Sequence, residues 1–485
     1  MTKRKTHLFL FFLCATALLA SFSRAEEFRH RGYYITFMRM PTYGLAAWKE
    51  AIDSFETDGA NLLLLWTAGA FRSRNFPVTW EYNREHENVR QDFLRQLIDY
   101  AHTKQIRVLL GFTPFAYDGV NQYPLEHAEL KATQKNGQPA SLGGIHCWGY
   151  NLCPAREESQ KFMLDYVREM FFEFYPNADG LMIESSDYAI CFCPDCTSRY
   201  FDKEFRFVEH ISREVWAKKP DAMIVVYPHY FSGTKVPGFD VRAATQKLDP
   251  HWTLFFTPHS AHLDENLISQ AKSSIWWDES PSLGTPERIQ AGTRRAKQAG
   301  MSGYVPSLEA FSFVATHPEE GQQWLVGRRQ VPLGFGWLEQ GKIPYNELPI
   351  RVNRIAYREF SRNPELPFDE FKKKLGTEIF GKSATPQALD DLLDMQRLFA
   401  LERSWCQPSP LTSPEMIRVK KARGEVSAEK LAAYRAALQR LRDIEQQHRG
   451  AKSKGLVELH RIAAWTLNLW KGESAGLLVD EKASP

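Results

Sequence analysis

The sequence predicts a (β/α)8 barrel followed by a helical C-terminal domain. Three observations lead there. Eight short apolar runs recur between residues 32 and 309. Amphipathic stretches of helical period separate most of them. Several runs are unbroken β-branched, Leu or aromatic segments, the pattern of strands covered on both faces.

The runs are 32–40, 60–68, 106–115, 178–185, 222–230, 252–258, 274–279 and 302–309. Helical patterns fall at 45–56, 89–104, 157–174, 203–218 and 286–299. Thr285-Pro286-Glu287 predicts a helix start, with Thr285 as N-cap and Pro at the first helical position. The fifth crossover has only a short helical pattern, 241–248. A doubly wound open sheet is the alternative, but it usually carries fewer strands over less chain. Residues 116–154 are too long for a simple turn after the third strand, and long loops on that face of a barrel often build active sites. After residue 320 the texture changes. Helical patterns at 350–361, 368–375, 386–401, 427–447 and 456–470 carry Lys, Arg and Glu on their outer faces. The expected division is a leader at 1–25, the barrel at 26–320 and a helical domain at 321–485.

The leader reads as a secretory signal peptide. Lys3, Arg4 and Lys5 precede an apolar run from Leu8 to Ala20, and Ser23-Arg24-Ala25 supplies the small-residue cleavage pattern. A run this short does not span a bilayer. The mature protein is expected to be secreted or periplasmic, with no membrane insertion after cleavage. Four of the 61 basic residues lie in the leader, so 57 remain against 58 acidic ones. That balance offers no basic face for nucleic acid. The sequence does not set an oligomeric state.

Functional side chains of a barrel gather at the C-terminal ends of its strands. The predicted strand ends bring Arg39, Trp66, Glu184 with Asp187, Tyr227 with His229, His259, Trp277 with Asp278, and Glu309. The long third loop adds His146, Trp148 and Tyr150. Acids, imidazoles and aromatics in one rim suit saccharide hydrolysis, which usually needs one protonated and one ionised carboxyl. Glu184 is the first candidate for the acid. It follows Gly180-Leu-Met-Ile, and an apolar setting favours a protonated carboxyl. Asp278 and Glu309 are the candidates for its catalytic partner. Arg39, Trp66, His146, Trp148, Asp187, Tyr227, His229, His259 and Trp277 are candidates for binding sugar. No cofactor is required for this chemistry, and no spaced catalytic metal motif of the His-Glu-x-x-His kind is present.

Six cysteines follow the leader. Cys191-Phe-Cys193-Pro-Asp-Cys196 is the most unusual local feature. With Cys147 or Cys153 it suits either a structural zinc or disulfides, and both readings stay open.

An acid after the fourth strand, followed by a Cys-x-Cys-Pro-x-Cys turn, resembles exported glycoside-hydrolase-like barrel proteins of bacteria. These are related at fold level to α-glucuronidases and β-N-acetylhexosaminidases. Glu184 and Cys191–Cys196 carry most of the likeness. Asn353-Arg-Ile-Ala-Tyr-Arg-Glu-Phe360 and Glu378-Ile-Phe-Gly381 resemble the helical tail of such enzymes, so the likeness extends loosely over residues 30–400. It implies a glycosidase with a carbohydrate substrate, and Glu184 as acid with Asp278 or Glu309 as base. Hexosaminidases that use the substrate's acetamido group place Asp and Glu side by side after strand four. Here Ile183 and Ser185 flank Glu184. The alternative expectation is a carbohydrate-binding barrel without catalysis.

Overall fold

The computed structural model describes residues 27–36, 44–67, 69–81, 84, 87–117, 119–140, 149–185, 191–197, 199–227, 248–256, 268, 271–278, 284–308, 344–399, 424 and 427–469. The expected leader and the short helix expected at 241–248, save for Leu248, lie outside them.

Eight parallel strands close into a barrel in sequence order. They are β1 (His30–Thr36), β2 (Leu62–Trp66), β3 (Arg107–Phe112), β4 (Gly180–Glu184), β5 (Met223–Tyr227), β6 (Thr253–Phe256), β7 (Ser273–Trp276) and β8 (Gly303–Tyr304). Each falls within or beside one predicted run. The helices after β1 to β4 are α1 (Leu45–Thr57), α2 (Leu94–Thr103), α3 (Glu157–Arg168) and α4 (Tyr200–Lys218). Helix α5 (Pro286–Gln298) follows β7, and Thr285 caps it by accepting the Arg288 N–H at 3.4 Å.

Strand alternation sorts the side chains into two cores. Tyr34, Leu64, Trp66, Leu109, Met182, Val225, Tyr227, Phe255, Ile275, Trp277 and Val305 fill the lumen. Their neighbours Tyr33, Leu63, Leu65, Leu110, Ile183, Val226, Phe256, Trp276 and Tyr304 face the surrounding helices. Burial on both faces explains why the strands read as continuous apolar runs.

The ring closes between β8 and β1. Helix α6 (Leu348–Arg362) packs beside α5 and against the seam between β8 and β1. That seam has two strand register pairs, His30↔Gly303 and Arg31↔Tyr304, and one further bridge, Tyr34↔Ser307, where β1 and β2 have five pairs. Tyr357 reinforces it: its Oη accepts the Gly32 N–H at 2.7 Å and donates to the Tyr304 carbonyl at 2.9 Å. Arg354 ties α6 to Asp58 at the end of α1, at 2.7 Å. Residues 348–362 therefore pack on the outside of the barrel at this seam. The helical region that follows contains, among the described residues, α7 (Phe368–Phe380), α8 (Pro386–Phe399), α9 (Ala428–Gln447) and α10 (Lys454–Leu469). No helix among the described residues is long and apolar enough to cross a membrane.

At the N-terminal end of the barrel, His30 is buried between β3 and β7. Its Nδ1 lies 3.3 Å from Arg107 Nη2, which can only donate, so the ring is neutral and Nε2–H donates to Ser273 Oγ at 3.2 Å. Burial, then Arg107 and Arg29, hold its pKa down to about 4. The unfolded chain binds this proton near pH 6.5, so the folded state binds fewer protons between 6.5 and 4. Stability that His30 leaves intact above pH 6.5 is lost as pH falls through that window, by at most about 3 kcal/mol. His30→Gln keeps an acceptor for Arg107 and a donor for Ser273. Urea midpoints measured from pH 7 to pH 4 should fall less steeply for this variant than for the parent; parallel curves would refute the assignment.

Candidate functional site

Glu184 is the last residue of β4, and its parity places it in the lumen with Met182. It is half-buried, and it pairs in register with Tyr227 of β5. Tyr34 of β1 reaches across the lumen and donates from Oη to Glu184 Oε2 at 3.0 Å. This bond orients the carboxyl from the opposite wall.

The floor beneath is aromatic. Tyr34 meets Trp277 edge-on at 6.0 Å between centroids and lies 6.2 Å from Phe255. Phe255 in turn contacts Tyr227 at 5.8 Å and Trp277 at 6.3 Å. Across the lumen, Trp66 meets Tyr117 edge-on at 5.5 Å. Trp66 fits because β3 offers a glycine beside it: a Cβ on Gly111 would lie 2.9 Å from the Trp66 Cα. The buried Trp277 Nε1 has no hydrogen-bond acceptor among the described residues, which leaves a donor facing the lumen.

Two aromatics of the loop after β3 sit in left-handed backbone, Phe115 at φ 63° and Tyr117 at φ 68°. Bulky residues rarely adopt this conformation, which costs on the order of 1–3 kcal/mol each. The strain aims Tyr117 inward against Trp66. Tyr34, Tyr117 and Phe255 were not among the sequence candidates. Strand alternation from Ile35 or Phe256 could have nominated Tyr34 and Phe255; nothing in the sequence signals the unusual turn at Tyr117.

The other candidates separate. Trp66, Tyr227 and Trp277 join Glu184 in the lumen. Asp278 does not. It follows the inward-facing Trp277 and turns into the wall between barrel and helices, where it is 4% exposed. Its Oδ2 accepts from Tyr304 Oη at 3.2 Å, and its Oδ1 lies 3.8 Å from Arg288 of α5. Close packing against α5 is also why position 292 is Gly: a Cβ there would meet Asp278 Oδ2 at 3.1 Å and Tyr304 Oη at 2.8 Å. The reason is parity, since adjacent Trp and Asp cannot both face the lumen from one strand. Tyr150, grouped in sequence with His146 and Trp148, lies under Lys131, whose Nζ is 3.9 Å from the ring centroid. Arg39, His146, Trp148, Asp187, His229, His259 and Glu309 lie outside the described residues.

Cys191, Cys193 and Cys196 converge with Cys153, all four sulfurs lying within 4.8 Å of one another. They are free thiols, three of them buried. Hydrogen bonds from Cys153 and Cys196 hold the Cys191 sulfur well below the thiol range, whereas the bond to Cys191 pushes Cys153 up.

A cavity of about 480 Å³ opens at the opposite end of the barrel, lined by Arg29, His30, Arg107, His251 and Lys272 among others. Those residues belong to strand starts and the loops before them, the face that serves stability in this fold rather than catalysis.

Comparison with solved structures agrees with the architecture. The chain is similar to a glycoside hydrolase family 138 enzyme targeting pectin rhamnogalacturonan II, at 12% identity and TM-score 0.53, over 92% of this chain and 57% of that one. It thus spans little more than half of that enzyme's length. It also aligns with a mutant of the Thermobaculum terrenum O-GlcNAc hydrolase at 13% identity and TM-score 0.47, over 93% and 87% of the two chains. A family 20 exo-β-N-acetylglucosaminidase from Vibrio harveyi, solved with N-acetylglucosamine, aligns at 13% identity and TM-score 0.45, over 76% and 58%. The likeness to the first of these shows the fold alone, a (β/α)8 barrel. No protein-family model matches the sequence, and no curated protein matches it.

Proposed function

We propose that the protein is an exported glycoside hydrolase in which Glu184 is the general acid. One observation carries this reading: a carboxyl at the C-terminal tip of β4, directed into the lumen, oriented by Tyr34 and set above an aromatic floor. Sugars present C–H faces to aromatic rings and hydroxyls to buried donors, and Trp277 offers both a ring and an unsatisfied N–H. Asp278 is engaged in the barrel wall, so Glu309 becomes the choice for the second carboxyl. Asp278 is then a positioning residue that holds β7 against α5. Arg39, Trp66, His146, Trp148, Asp187, Tyr227, His229 and His259 remain the proposed sugar contacts around this pair.

Tyr34 supplies a test of orientation. Its hydrogen bond fixes the direction of the Glu184 carboxyl. Tyr34→Phe removes that restraint, so kcat should fall by about tenfold with KM little changed. An unchanged kcat would remove Tyr34 from the mechanism.

The wider test is a panel of aryl glycosides and aryl uronides, with binding followed separately by calorimetry. Turnover of one class supports the hydrolase. Saccharide binding with no turnover of any bound sugar would instead support a binding barrel.

A further inference from the structure

We infer that Cys153, Cys191, Cys193 and Cys196 bind one zinc ion, which holds together the two loops bordering the Glu184 side of the barrel mouth.

The geometry is that of a preformed tetrahedron. Zinc–thiolate bonds are about 2.3 Å long, so the six edges of a tetrahedral four-sulfur site are each about 3.8 Å. Cys153 Sγ lies 3.7 Å from both Cys193 Sγ and Cys196 Sγ, and no pair in the set exceeds 4.8 Å. An iron–sulfur cluster would need its cysteines farther apart, around a core several atoms wide. The four ligands come from two separate connections. Cys153 precedes α3, in the link after β3. The other three lie between β4 and α4.

The backbone around them is organised for thiolates. Cys193 and Cys196 form a tight Cys-Pro-Asp-Cys turn, in which the Cys196 and Thr197 N–H groups donate to the Cys193 carbonyl at 2.9 and 3.0 Å. The Thr133 N–H donates to Cys191 Sγ at 3.4 Å, and the adjacent Phe192 N–H donates to the Thr133 carbonyl at 2.7 Å. Cys153 is held by its own N–H on the Leu130 carbonyl at 2.8 Å. Backbone donors to sulfur are the outer-shell support that fixes thiolate ligands and spreads their charge. Both segments are thus positioned independently of any sulfur–sulfur bond, and each brings its sulfurs to a common centre.

The consequence is positional. Glu184 ends β4 and Cys191 follows seven residues later. A metal at this point fastens the segment between β4 and α4, which begins at the proposed acid, to the segment between β3 and α3. The ion itself has no open coordination position, so its role is structural.

The test uses the full mature chain, purified without chelator. Elemental analysis should find about one zinc per chain. Titration with an organomercurial should release it as thiols are consumed. Cobalt(II) exchanged into the protein should show the visible ligand-field bands and the near-ultraviolet thiolate charge-transfer band of a tetrahedral four-sulfur site. Alkylation mapping should find Cys153 and Cys191–Cys196 protected until denaturation with chelator. Cys193→Ser, at the most exposed of the four positions, should lose the zinc and unfold at a lower temperature; the cobalt spectrum and the elemental analysis of the parent protein decide the matter even if that variant does not fold. Recovery of the parent protein metal-free with these four sulfurs in two disulfides would overturn the inference, as would one iron per chain in place of zinc. Neither result bears on the role of Glu184, which the glycoside panel tests separately.

Discussion

Glu184→Gln should lower turnover of a glycoside with a poor leaving group by about 10²–10⁴-fold, the usual contribution of a positioned general acid. On the barrier this is roughly 3–5 kcal/mol. The substitution is nearly isosteric, and the amide oxygen still accepts from Tyr34 Oη, so the fold and the aromatic floor should persist and sugar binding should survive. The informative comparison varies the leaving group. An alkoxide of high pKa needs protonation as the glycosidic bond breaks, whereas a dinitrophenolate does not. The rate deficit of Glu184→Gln should therefore shrink sharply on dinitrophenyl glycosides. An equal deficit on both substrates would show that Glu184 acts as nucleophile or as a binding group, and the assignment as acid would fail. Loss of binding along with turnover would point to a collapsed lumen instead, and near-ultraviolet circular dichroism from the packed aromatics would report it.

That experiment bears on a residue the sequence could nominate, and the reason is local. A carboxyl directly after a continuous apolar strand is legible because the strand's period decides which way it points. The same period separates Trp277 from Asp278 just beyond β7: both are rim candidates by position, but adjacent strand residues face opposite sides. Trp277 has the lumen and Asp278 the helix wall. The eight strands were legible from the clustering of apolar residues, since a barrel strand covered on both faces has little room for polar ones. The closing helix was less so. Residues 348–362 carry an amphipathic pattern that fits a barrel helix and a separate helical domain equally well, and only its contacts with β1, β8 and α1 decide between them. The fourth cysteine was undetermined for a similar reason. Cys147 and Cys153 are similarly distant in sequence from Cys191, and the turn preceding α3 is what brings Cys153 to the cluster. Tyr117 depends on a left-handed backbone that no residue type at that position advertises.

The closing helix carries the second large effect. Arg354→Met should destabilise the barrel by about 3–5 kcal/mol, the range for removing one partner of a buried ion pair. Arg354 and Asp58 have side-chain exposures of 5% and 3%. All three nitrogens of the guanidinium donate. Nε donates to Asp58 Oδ2 at 2.7 Å, Nη1 to the Tyr345 carbonyl at 3.1 Å and to Asn346 Oδ1 at 2.9 Å, and Nη2 to the Ser54 carbonyl at 2.7 Å. Tyr33 Oη adds a further bond to Asp58 Oδ2 at 2.7 Å. Burial nevertheless pushes the Asp58 carboxyl up against the pull of Arg354, so the cost of desolvating this charge is large. It follows that removing both charges should cost much less than removing one. Arg354→Met strands an anion in the wall between α1 and α6, whereas Arg354→Met with Asp58→Asn strands none. Urea midpoints for the two single variants and the double variant form a cycle, and the expected coupling is favourable by more than about 1 kcal/mol, as for contacting buried groups. Simple additivity would show that the pair is incidental to closure. The seam argument adds a functional readout to this cycle. Tyr33 and Tyr34 are neighbours on β1, one holding Asp58 and the other Glu184. A barrel loosened between β8 and β1 moves Tyr34 relative to β4, so the single Arg354 variant should lose catalytic rate below its unfolding transition, and the double variant should regain part of it.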